Sequence, residues 1–107
     1  MRVEEMFRTL KSVLDKDRCV EFDYYPRRNE VVARIILGDG MNEDEFFAIY
    51  GVLKKFGFSD LWISGEECDF LEERHVPSEL VFRAEDVDRD LAEFLFMCGQ
   101  RYVVCRR

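Results

Sequence analysis

The sequence predicts an α+β domain built as a two-layer sandwich, with three helices on a mixed, mainly antiparallel five-stranded sheet. Three observations carry this. Residues 3 to 15 place Val3, Met6, Phe7, Leu10, Val13 and Leu14 at three- and four-residue steps, which gives a helix one apolar stripe. Residues 19 to 25 instead alternate, with Val20, Phe22 and Tyr24 on one side and Glu21, Asp23 and Tyr25 on the other, as a half-buried strand requires. Further along, KKFGFSDLWI and FMCGQRYVVC each end a helical stripe on glycine and enter a short strand.

The remaining elements follow in order. Pro26 to Glu30 reads as a turn, because proline cannot continue a central ladder. Val31 to Leu37 is β-branched and apolar, a more buried strand close enough to residues 19–25 to form a hairpin. Asn42 is placed to cap a second helix, with Glu45 at the capping-box spacing. Phe46, Phe47, Ile49, Tyr50, Leu53 and Phe56 line that helix, and Gly57 ends it. Leu61 to Ser64 is a short strand, residues 65 to 78 read as a charged loop, and Leu80 to Arg83 returns to strand. Asp86 opens a third helix striped by Val87, Leu91, Phe94, Leu95 and Cys98, and Tyr102 to Cys105 is the last strand.

The order α-β-β-α-β-β-α-β ends in two tandem β-α-β units, which implies a ferredoxin-like core. That core conflicts with the hairpin. Its first strand, residues 31 to 37, would need core neighbours on both sides, yet residues 19 to 25 would also pair with it. Residues 1 to 107 are expected to form a single α+β domain, a length that buries enough apolar surface to fold without a metal or disulfide.

Net charge is −7 and unevenly spread. Residues 39 to 90 hold 15 acidic and 5 basic side chains, while both ends are mildly basic. An acidic middle repels polyanions and disfavours broad nucleic-acid binding. The opening MRVEEMFRTLKSVL lacks the apolar run of a signal peptide, and no stretch reaches membrane-spanning length. The expectation is a cytoplasmic protein, without a membrane partner, whose four cysteines are reduced thiols. One Gln and two Asn beside many charged residues is a pattern of heat-adapted proteins.

Cys19, Cys68, Cys98 and Cys105 show no C-x-x-C or zinc spacing, and Cys98 and Cys105 read as buried structural residues. Cys68 and His75 share the charged loop, but Glu66, Glu67, Asp69, Glu72 and Glu73 surround that thiol and suppress its thiolate. The same acidic loop lacks the alternating ligands and central glycine of a calcium loop. Asp39 follows a strand, with Asp44 and Glu45 nearby, and either Asp39 or the acidic loop at 66–75 would serve a metal-dependent hydrolase. Gly38-Asp39-Gly40 lacks phosphate-loop residues, so no cofactor is expected.

A basic-aromatic set remains: Tyr25, Arg27, Arg28, Arg34, Trp62, Arg83 and Arg101. Strand alternation directs Tyr25, Arg34, Trp62, Arg83 and Arg101 to the sheet face opposite the helices. Such a face stacks nucleotides in RNA-binding sheets, although the RNP1 pattern is absent here. Trp, Tyr and Arg equally dominate protein interfaces. The leading expectation is a small non-catalytic interaction domain that forms a homodimer through the open face or an edge strand. Its motivation is surplus apolar surface at Phe47, Val52, Phe96 and Trp62. RNA or single-strand binding and metal-dependent hydrolysis are the alternatives.

Overall fold

A computed structural model describes residues 3–15, 17–37, 41–64, 67–69, 74–76 and 79–106, with backbone alone at 60, 62–64, 67–69 and 74–76. Three helices, α1 (Val3–Val13), α2 (Glu43–Lys55) and α3 (Arg89–Met97), lie in one layer. The sheet strands are β1 (Cys19–Tyr25), β2 (Glu30–Ile36), β3 (Asp60–Ser64), β6 (Glu79–Ala84) and β7 (Arg101–Cys105). Two further strands, β4 (Glu67–Asp69) and β5 (Arg74–Val76), pair only with each other. The expected loop at 65–78 therefore carries a short antiparallel hairpin. The fold class is α+β with an antiparallel sheet.

The sheet order is β3-β6-β2-β1-β7, and every pairing is antiparallel rather than mixed. This replaces the ferredoxin-like order. There, β2 would lie between β6 and β7. Here β1 takes one edge of β2, and β7 moves outward to pair with β1. As a result β7 runs parallel to β2, opposite to the ferredoxin-like direction. The physical reason is proximity along the chain. A 3₁₀ turn (Pro26–Arg28) and Asn29, left-handed at φ 48°, join β1 directly to β2, so the hairpin closes a short loop at low entropic cost. Only the first expected β-α-β unit survives as a parallel crossover: β2 and β3 run the same way, with β6 between them. In the second unit, β6 and β7 run in opposite directions.

The helices all pack on one face. Phe7 of α1 meets Phe22 at 5.3 Å, Tyr102 at 4.9 Å and Phe94 of α3 at 5.4 Å. Tyr50 of α2 meets Phe82 at 6.1 Å. Phe22, Tyr102 and Phe82 belong to the same alternation set as Val20, Ala33, Ile35, Leu80 and Val104, which are buried in the core. Burying such side chains is the main stabilising term of the fold.

Local signals account for the helix ends. The Asn42 side chain accepts the Glu45 N–H at 2.8 Å, capping α2 as expected. Glu45 does not reach back to complete a capping box. Its buried carboxylate instead accepts the Asp15 N–H at 2.8 Å and pairs with Arg18 at 3.2 Å. Arg18 also donates to the carbonyls of Ile36 and Leu37, which ties α1, β2 and α2 together. Gly57 follows α2 at φ +95°, where an added Cβ would meet no atom within 4 Å, so backbone conformation rather than crowding favours glycine. The third helix starts later than expected. Asp88, not Asp86, is its cap and accepts the Asp90 N–H at 2.9 Å. Asp86 lies in the preceding bend with positive φ. No helix among the described residues is long and apolar enough to cross a membrane.

The cysteine expectation is corrected. Register places Cys19 opposite Cys105, 4.2 Å apart at Cα, and the two form a disulfide rather than free thiols. Cys98 keeps a free thiol but is exposed at the end of α3, not buried.

Candidate binding face

The sheet face opposite the helices is built by the second alternation set. Cross-strand register lays Arg83, Val32, Asp23 and Arg101 in one row, and Val81, Arg34, Glu21 and Val103 in the next. The alternation that buries Phe22 and Phe82 on one side therefore gathers charge on the other. Tyr25, Arg28, Arg34 and Arg83 surround one shallow concavity of about 370 Å³, floored by Val32 and Val81. Glu30 and Glu79 line it as well. Arg28 lies over the Tyr25 ring, 5.7 Å from its centroid.

Of the residues singled out from sequence, Tyr25, Arg28, Arg34 and Arg83 are thus brought together. Arg101 stands two strands away on the same face and holds Glu21 at 2.7 Å and Asp23 at 2.9 Å. Those carboxylates, first the hydrogen bond and charge of Asp23, hold the Arg101 guanidinium above its ordinary pKa. Arg27 is exposed on the turn and does not line the concavity. Trp62 pairs with Val81 in the backbone register, and its side chain lies outside the described residues.

The carboxylates are what the sequence-based site left out. Arg83 is within ion-pair distance of Glu30 at 3.9 Å and of Glu85 at 3.6 Å. Glu21 sits directly opposite Arg34 but turns to Arg101. The alternation that directed Tyr25 outward had already placed Glu21 and Asp23 beside it, so the signal was present. It shows a face balanced in sign rather than basic.

Asp39 and the acidic residues Glu66, Glu72 and Glu73 lie outside the described residues, as do the side chains of Glu67, Cys68, Asp69 and His75. Among the described residues, no three His, Cys, Asp or Glu side chains converge as metal ligands. Exposed apolar side chains are spread over both layers. Phe96 and Met97 are 61% and 86% exposed at the end of α3, and Val103 is 50% exposed on β7. Phe47 and Ile36 are also exposed, whereas Val52 packs partly buried against the core. Comparison of the chain with family models, with curated proteins and with solved structures finds no match.

Proposed function

We propose that the chain is a small non-catalytic interaction domain that self-associates by pairing β7 with β7 of a second copy. One observation carries this reading: β7 is an edge strand of the sheet, and the apolar side chain of Val103 stands exposed at its middle. The backbone bond from Tyr24 N–H to the Gln100 carbonyl, 2.9 Å, fixes the phase of the ladder. In that phase Tyr102 and Val104 exchange hydrogen bonds with β1, while Arg101, Val103 and Cys105 turn their N–H and C=O groups outward. An open row of such groups is a template for another strand. Antiparallel pairing about Val103 places each copy in the same relation to the other, the closed twofold contact most common in oligomers.

The charge pattern of the open face argues against the nucleic-acid alternative. Arg28, Arg34, Arg83 and Arg101 share it with Glu21, Asp23, Glu30 and Glu79. A phosphate backbone would meet as many carboxylates as guanidiniums, and affinity for polyanions grows with uncompensated positive charge.

Sedimentation velocity across a range of protein concentrations tests the proposal. A reversible dimer is expected. Val103→Pro removes an outward N–H without touching the ladder to β1, and is expected to give a folded monomer. A wild-type chain that stays monomeric at the highest concentration refutes self-association.

A further inference from the structure

We infer that the concavity around Arg34 is a binding site for a small monocarboxylate carried on an apolar or aromatic body. The inference does not rest on dimerisation, because pairing through β7 extends the sheet and leaves its open face accessible.

Arg34 stands on β2, the central strand of five, on the side away from the helices. Its Nε is buried and donates no hydrogen bond among the described residues. The Nε of Arg83 is likewise buried without a hydrogen bond among the described residues, but Arg83 stands within ion-pair distance of Glu30 and Glu85, and Arg101 is held by two carboxylates. Glu21, opposite Arg34, is already taken by Arg101. A buried donor without an acceptor is costly, and an acceptor supplied from outside removes that cost.

The chemistry of the walls narrows the ligand. The guanidinium of Arg34 is a planar fork of donors that a carboxylate matches with two parallel hydrogen bonds. Val32 and Val81 form an apolar floor beside it, and Tyr25 with Arg28 forms one side. That lining suits a compact apolar or aromatic body behind the carboxylate. Glu30 and Glu79 at the same site repel additional negative charge, so a monoanion is favoured over a phosphate dianion.

Titration with benzoate, followed by amide NMR, is the test. Saturable shifts centred on Tyr25, Val32, Arg34 and Val81 are expected. Benzamide, neutral and of the same shape, should not bind, a comparison that needs no variant. Arg34→Gln should weaken benzoate binding roughly tenfold or more, because it removes a charge-assisted pair. Arg34→Lys should also weaken it, since it keeps the charge but loses the fork. Arg89→Gln, on α3 in the helix layer and paired there with Glu93, should bind as wild type does. Equal binding of benzoate by wild type and folded Arg34→Gln overturns the proposal. So does benzamide binding as well as benzoate, phosphate binding more tightly than benzoate, or the absence of saturable shifts.

Discussion

The two faces of the sheet are made by the same strands, yet they are held together by different physics. Toward the helices, β1 presents Val20, Phe22 and Tyr24, and β2 presents Val31, Ala33 and Ile35. Toward the other side the same strands present Glu21, Asp23, Tyr25, Glu30, Val32 and Arg34. Contacts on the first face are apolar, non-directional and collective. Contacts on the second are pairwise and partly hydrated, apart from one covalent link, Cys19 to Cys105. The difference separates roles: the helix-covered face buries the core that holds the fold, and the open face is where we propose that a ligand binds.

The largest test of that division acts on the covalent exception. Cys19 and Cys105 stand 86 residues apart in sequence, so their bond constrains most of the unfolded chain. Loop entropy gives it a worth of about 4–5 kcal/mol. Cys105→Ser, or reduction of the wild type, should lower the free energy of urea unfolding by about that amount. Unchanged unfolding in dithiothreitol would mean that the open face contributes no such clamp. Phe22→Ala probes the other face. Phe22 is fully buried against Phe7 and Phe58, and its truncation leaves a cavity expected to cost about 3–5 kcal/mol. A loss well below that would show that the helix layer repacks freely.

Legibility in the sequence followed the range of the interaction. The β1–β2 hairpin, the Asn42 cap and the outward direction of Tyr25, Arg34, Arg83 and Arg101 were readable because alternation and capping act over a few residues. The Cys19–Cys105 bond was not. It depends on β7 pairing with β1 rather than β2, a choice between distant partners that no local pattern encodes. The Arg18–Glu45 pair was hidden for a similar reason: Glu45 has capping-box spacing, but its acceptors are used by Arg18 and the Asp15 N–H, about thirty residues earlier. At α3 Asp86 and Asp88 are caps of equal chemistry, and backbone geometry selected Asp88.

The helix layer also carries a pH-sensitive element. The N–H of Asp90 holds the Asp88 carboxyl below its ordinary pKa. A carboxyl lowered on folding contributes stability above its unfolded pKa, and that contribution is lost as pH falls through the folded value. Asp88→Asn keeps a good cap without the ionisation. Stability should therefore decline less steeply on acidification in Asp88→Asn than in wild type, as followed by thermal melts at successive pH values. Identical declines would assign the acid sensitivity to other carboxylates.

The smallest effect is expected from Arg101→Gln, and it is the sharpest comparison of the two faces. Arg101 makes two short ion pairs on the open face, 2.7 Å to Glu21 and 2.9 Å to Asp23. Distance alone would make it a major contributor. Its side chain is 67% exposed, however, so water screens the attraction and hydrates the guanidinium in either state. Asp23 is the buried member, and glutamine retains an N–H donor in reach of its carboxylate. Urea unfolding of Arg101→Gln should be indistinguishable from wild type, in contrast to Phe22→Ala one residue from Asp23 on the same strand. A loss matching that of Phe22→Ala would overturn the division. It would mean that β7 is held to β1 by charge as firmly as the core holds β1 to the helices, and the open face would then be part of what specifies the fold.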